Sequence, residues 1–317
     1  MKVQVKTPAR LHLGLIDMNG DLKRMFGGLG VGIDHPNVIV EAHKAENFAV
    51  TGQEVELSTV LAKRFFSACR VQSLVHINVV KTIPPHVGLG SGTQLSLAIA
   101  VALARLLKVN ASTPELAVAM GRAQRTSVGT SIFQMGGFVV DGGKNLKDTS
   151  FPPLIYRQIF PKEWRFIVAV PNTEVGLSNS EETSAFNKLT KMPAEDVGRI
   201  CRLTMLKLLP ALAEHDIESF GDALTEIQVI TGGHFAQAQG GIYSSPAAAE
   251  CIEFMKKTGA HGVGQSSWGP ALYCVVKQEE AQRVLSKVKA HLREGVGGQA
   301  FIAKANNRGA TIKLIEA

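Results

Sequence analysis

Between a strand-like stretch and a long apolar stretch lies Lys81-Thr-Ile-Pro-Pro-His-Val-Gly-Leu-Gly-Ser-Gly-Thr-Gln94, with glycine at three alternate positions. Residues 75–80 alternate as a strand does, while Leu95, Ile99, Ala102, Leu103, Leu106 and Leu107 recur at helical spacing. A glycine loop between a strand and a helix start is anion-binding geometry. Gly88, Gly90 and Gly92, flanking Leu89, can adopt positive φ and bring backbone N–H groups close to a ligand, at the positive end of the helix dipole. Ser91 and Thr93 add hydroxyls that would reach a phosphate or its magnesium ion. The plainer reading is a glycine-rich turn with an ordinary helix cap. Neither a Walker GK[ST] nor a dinucleotide-binding GxGxxG unit is present.

The rest of the chain bounds the ligand. Its 34 Lys and Arg against 27 Asp and Glu leave a net charge of +7, which suits a polyanionic small molecule as well as a nucleic acid. With no basic tail and no ladder of basic and aromatic residues, nucleic acid is not the expected partner. An apolar fraction of 45% over 317 residues supports a large core in one or two globular domains. Cys69, Cys201, Cys251 and Cys274 are dispersed and read as reduced residues of a cytoplasmic protein. The first residues alternate as a strand rather than forming a signal peptide, and no apolar run has membrane-spanning length.

In chain order, strands are expected near residues 3–5, 11–15, 38–42 and 48–57, then a helix over 61–69 before the strand that enters the glycine loop. A further helix is expected over 116–125, and Gly136-Gly137 leads into a short strand. A loose boundary falls between residues 148 and 165. Beyond it, helices over 196–209, 216–230, 246–257 and 279–291 alternate with strands near 165–170, 271–276, 301–305 and 311–315, an α+β pattern.

Arg10 and His12 fall on the second strand, Asp17 in the turn after it, and Arg24 before the glycine cluster Phe26-Gly-Gly-Leu-Gly-Val-Gly-Ile33. Singly they read as surface ion pairs, a satisfied histidine and a turn acceptor. Together they suggest a site in which arginine holds a carboxylate and His12 donates to one or shuttles a proton near neutrality. Arg122, Arg125, Thr126, Ser127 and Thr130 form a second anion-facing patch, unless the arginines merely occupy a solvated helix face. In Gly264-Gln-Ser-Ser-Trp-Gly-Pro270, Ser266 and Ser267 would orient a phosphate or an aromatic acid, with Trp268 as apolar wall or core anchor. No GxSxG elbow or HExxH motif occurs, so magnesium carried on phosphate oxygens fits better than zinc.

Thr7-Pro-Ala-Arg-Leu-His-Leu-Gly-Leu-Ile-Asp17, the Phe26–Ile33 and Pro85–Gln94 segments, Gly136-Gly-Phe-Val-Val-Asp-Gly-Gly143 and the GQSSWGP segment together resemble the β-ribofuranosylaminobenzene 5′-phosphate synthases, a branch of the GHMP kinase superfamily. That resemblance implies an amino-terminal GHMP domain over 1–155 with a left-handed β-α-β element and a ferredoxin-like α+β domain over 156–317, with the active site between them. It implies decarboxylating condensation of 5-phosphoribosyl 1-diphosphate with 4-aminobenzoate or 4-hydroxybenzoate in methanopterin biosynthesis, a magnesium requirement and a homodimer. Carried onto this chain, Arg10, His12, Asp17 and Arg24 become the catalytic candidates: the first two and Arg24 for the benzoate carboxylate, Asp17 for the ring substituent or a proton carrier. Residues 88–93, Arg122, Arg125, Ser127, Ser266 and Ser267 become donor contacts, with Ser91 and Thr93 beside the metal.

Two departures stand out. Arg122-Ala-Gln-Arg-Thr-Ser-Val-Gly129 replaces a glycine-richer element, and Gly142-Gly-Lys-Asn145 replaces a GGH sequence, so that Lys144 keeps positive charge but not imidazole chemistry. The catalytic aspartate of the kinase branch aligns near Gly129, which has no carboxylate to activate an alcohol. The alternatives are an ATP-dependent small-molecule kinase and a noncatalytic phosphometabolite sensor.

Overall fold

The computed structural model describes residues 1–173, 186 and 189–316. Strand β1 (Lys2–Lys6) buries Val3 and Val5 and turns its lysines outward, the alternation of a sheet covered on one face. With β4 (Ile39–Lys44), β5 (Ala49–Gly52), β6 (Val75–Lys81) and β14 (Thr311–Ile315) it forms a sheet of order β14-β1-β4-β6-β5. Only β5 and β6 run parallel, and α1 (Val55–Cys69) crosses between them as a β-α-β unit. Helix α2 (Ser91–Leu107) packs on β1 and β4, with α1 and α3 (Thr113–Ala119) against its other side. That sandwich is why α2 is buried nearly all round, Gln94 and Ser96 included.

A second sheet joins β2 (Ala9–Asp17), β3 (Arg24–Ile33), β7 (Phe138–Asp141) and β9 (Leu154–Gln158), with β8 (Lys144–Asn145) beside the start of β3. Helix α4 (Val128–Met135) presses on β3 so closely that a Cβ at Gly28 would stand 2.6 Å from a Val128 methyl. The β3 glycines therefore admit a helix.

The carboxy-terminal sheet is antiparallel, of order β11 (Gly262–Gln265), β12 (Leu272–Lys277), β10 (Trp164–Pro171), β13 (Gly298–Ala303). Helices connect β10 to β11 and β12 to β13, which is the ferredoxin-like arrangement. Phe220, on the Ile217–Gln239 helix, stacks edge-on with Phe138 of β7 and with Phe160, so one core runs through both halves.

The structure departs from the sequence expectations at several places. Residues 55–57 open α1 rather than ending a strand. The helix expected over 116–125 stops at Ala119, because Gly121 takes φ +70° and the chain turns, and α4 follows in a stretch to which no element was assigned. Strand β9 straddles residue 155, and β14 returns to pair with β1 in the amino-terminal sheet.

Candidate functional site

The glycine loop is fixed by the main chain on two sides. Gly90 caps α2 at φ +80° with no side-chain cap, which leaves the first-turn N–H groups facing outward. The Gly88 carbonyl accepts from Arg10 Nη1 at 2.9 Å and from the Ser266 hydroxyl at 2.7 Å. Ser266 Oγ in turn accepts from His12 N at 2.9 Å, and Ala271 N donates to the Val87 carbonyl at 3.0 Å. A Cβ at Gly88, where φ is +86°, would overlap the Ser266 carbonyl oxygen. The hairpin that carries GQSSWGP thus locks the loop into one shape and orients it before any ligand arrives.

Around that loop lies a cleft lined by Arg10, His86, residues 90–93, Arg122 and Ser267. Arg122 donates from Nε to Ser96 Oγ at 3.0 Å, and Ser96 donates to the Gly92 carbonyl at 2.7 Å. This buried relay places the guanidinium 3.3 Å from where a Gly92 Cβ would stand, over the first turn of α2. A cation at a helix N-terminus is repelled by the dipole, so the arrangement favours an anion between them.

A second cavity adjoins the first and shares Arg10, Ser267 and Trp268 with it. Its walls are aromatic: Phe235 and Trp268 meet at 4.7 Å and Phe186 and Trp268 at 5.6 Å, both T-shaped, and the Arg125 guanidinium lies 4.2 Å from the Phe186 ring centre. A bulge between His12 and Gly14 turns β2 into this recess. Gln228 clamps the bulge, donating to the Leu13 carbonyl at 2.7 Å and accepting from Gln265 N at 2.9 Å. The loop cleft is the larger of the two, about 340 Å³ against about 150 Å³, in keeping with a bulky anion beside a small aromatic group.

The sequence-derived candidates divide accordingly. Arg10, Gly88, Gly90, Ser91, Gly92, Thr93, Arg122 and Ser267 line the loop cleft; His12 and Arg125 line the recess. Leu89 is buried beneath the loop, its carbonyl accepting from Arg10 N. Ser127 is fully buried, with its N–H on Asp141 Oδ2 and its hydroxyl without a partner among the described residues, and Ser266 is engaged wholly in stitching the loop. Asp17 and Arg24 line neither cavity. Asp17 Oδ1 accepts from Asn19 N and Gly20 N, a turn cap, and Arg24 donates to the Gly143 carbonyl at 2.7 Å. His12 does not titrate near neutrality: burial, and then the Arg10 charge, push its imidazole down to about 3. Its side chain is a neutral imidazole. Arg122 and Arg125 stand in a turn that lines the cavities, not on a solvated helix face.

Other participants escaped the sequence reading. Asp141 of β7 is buried, accepting from Ser127 N and Gly143 N at 2.8 Å each, and so holds the turn that carries Arg125 and Thr126. Burial pushes its carboxyl up to about 6 despite those bonds. Phe235, Gln228 and Thr231 line one face of the Ile217–Gln239 helix, and no local motif marks them. At Gly129 a Cβ would stand 3.0 Å from the Thr93 methyl.

Residues 56–137 match the family described as GHMP kinases N terminal domain, and residues 208–294 match GHMP kinases C terminal. The chain is 33% identical to a β-ribofuranosylphenol 5′-phosphate synthase of Archaeoglobus fulgidus over 98% of this chain and all of the relative. It is 33% identical to the protein of that name in Methanothermobacter thermautotrophicus, over 96% of this chain and 97% of the other. In fold it resembles the homoserine kinase of Cytophaga hutchinsonii, with a TM-score of 0.73 at 17% identity over 98% of this chain and 97% of that one.

Proposed function

This chain belongs to the β-ribofuranosylphenol 5′-phosphate synthase family, and from that membership we propose that its cleft joins the ribosyl group of 5-phosphoribosyl 1-diphosphate to the carboxylate-bearing carbon of 4-hydroxybenzoate. The enzyme is a pentosyltransferase of methanopterin biosynthesis on a GHMP scaffold. The observation that carries the reading is the junction of the two cavities, where Arg10, Ser267 and Trp268 belong to both. A donor diphosphate on the glycine loop and an aromatic acid in the recess would meet there.

In this scheme the bond between ribose C1 and the diphosphate oxygen breaks, its electron pair leaving with diphosphate. The N–H groups of the α2 first turn and the Arg122 guanidinium receive that charge. The ring carbon bearing the carboxylate forms the new bond to C1. Loss of carbon dioxide returns the pair of the C–C bond to the ring and restores aromaticity. Arg10 orients the carboxylate at the junction, neutral His12 donates or accepts a hydrogen bond beside it, and Phe186, Phe235 and Trp268 hold the ring and exclude water.

Magnesium fits as a passenger on the diphosphate. Ser91 and Thr93 offer hydroxyls, Glu54 is the one acidic lining residue of the loop cleft among those described, and no described cluster of His, Cys, Asp and Glu could hold an ion alone. When bound, the ion would neutralise charge on the departing diphosphate. A cytoplasmic homodimer is the setting proposed for the enzyme. The four free cysteines suit that compartment, no described helix is long and apolar enough to cross a membrane, and the homodimer follows the family resemblance.

The test incubates the protein with magnesium, the donor and carboxyl-labelled 4-hydroxybenzoate. Labelled carbon dioxide, diphosphate and a ribosylated phenol in equal amounts are expected. Folded protein that binds the donor yet releases no carbon dioxide from this acid would refute the assignment.

A further inference from the structure

A third cavity opens beside the other two. It shares Arg122 with the loop cleft and Arg125 and Phe186 with the aromatic recess, so each pair of cavities has lining residues in common. Arg64, Lys144 and Lys191 also line it, and Asp148, fully exposed, is its one acidic residue among those described. Arg64, on α1, donates from Nε to the Ala119 carbonyl at 3.0 Å and lies against Gly121, which at φ +70° leaves room for the guanidinium. Arg122 is largely buried and feels the Arg64 charge as a repulsion. Two arginines held together by main-chain and hydroxyl contacts, with no carboxylate between them among the described residues, repel each other, and an anion would relieve that repulsion.

The reactants proposed above have three parts that must diverge from one ribose: the leaving diphosphate, the incoming aromatic acid and the 5-phosphate at the far end of the sugar. The three cavities meet through shared lining residues, as those three parts meet at the ribose. We infer that the basic cavity is the subsite for the donor's 5-phosphate, held by Arg64 and Lys144 with Arg122 at the junction. The inference rests on the proposed donor. Under it, the donor is gripped at both anionic ends, so the cleft distinguishes 5-phosphoribosyl 1-diphosphate from free diphosphate by the second grip, and C1 is held toward the recess. Lys144, which stands where a histidine was expected, supplies a permanent charge suited to that phosphate.

Isothermal titration of the wild type, Arg64→Gln and Lys144→Gln with 5-phosphoribosyl 1-diphosphate and, separately, with inorganic diphosphate decides the matter. Each variant is expected to weaken donor binding by about tenfold or more, and to leave diphosphate affinity within about twofold. Lys144→Gln alone is sufficient should Arg64→Gln fail to fold, because Arg64 also holds the α3 carbonyl. Equal weakening of both ligands, or unchanged donor affinity, would overturn the subsite while leaving the donor assignment standing. A wild type that binds diphosphate but not the donor would remove the donor assignment, and the subsite with it.

Discussion

The loop cleft and the aromatic recess share three residues yet are built in opposite ways. The loop cleft is local: residues 86–93 supply its floor, and its ligand-facing groups are largely main chain, held by Arg10 and Ser266. The recess is collected from β2, the 125–126 turn, Phe186, the Ile217–Gln239 helix and the GQSSWGP hairpin, and its working groups are side chains. Backbone sites depend on φ and on what props the loop; side-chain sites depend on packing across domains. Substitutions should therefore separate the two substrates.

Gly88→Ala should damage the loop cleft most severely, since a Cβ there meets the Ser266 carbonyl and the backbone holds φ +86°. We expect kcat/KM to fall by about a thousandfold or more and donor binding to vanish, with acceptor binding damaged less. Calorimetry with each ligand would show it. Phe235→Ala removes one wall of the recess alone: acceptor KM should rise by roughly thirtyfold while diphosphate affinity stays unchanged. Ser91→Ala is the mirror image, raising donor KM by about tenfold and sparing the acceptor.

The smallest effect concerns stability. The folded protein protonates His12 only near 3 and the unfolded chain near 6.5, so His12 costs no stability above pH 6.5, and stability is lost as the pH falls below it. At pH 5 that loss is about 2 kcal/mol. Asp141, pushed up to about 6, works the other way, since the folded state holds its proton longer than the unfolded chain and gains stability as pH falls. Urea unfolding at pH 7 and 5 should show His12→Gln losing less stability than the wild type on acidification; an equal loss would mean that His12 is not buried neutral.

What could be read in the sequence follows the same division. Gly88, Gly90, Ser91 and Thr93 were legible as one loop because closely spaced glycines between a strand and a helix stand out within a single stretch of sequence, and the structure does place them together along the loop cleft. The ferredoxin-like half was legible through alternating helix and strand periodicities, and the GQSSWGP hairpin through its motif. Asp17 and Arg24 were misplaced for a common reason: a polar residue beside glycines reads the same whether it faces a ligand or caps a turn. Phe235, Gln228 and Thr231 gave no signal, since on a long helix a recess-facing residue has the same spacing as a core-facing one. Asp141 was quoted within its motif, but its role depends on where α4 begins, and α4 was not foreseen.

In the proposed cleft a backbone half takes the diphosphate and a side-chain half takes the aromatic acid. A crystal structure with inorganic diphosphate, magnesium and 4-hydroxybenzoate bound together tests it most directly. Diphosphate is expected against residues 88–93 and Arg122, the ring between Trp268 and Phe235, and the carboxylate turned toward Arg10. A ring lying on the glycine loop, or diphosphate seated in the recess, would contradict it.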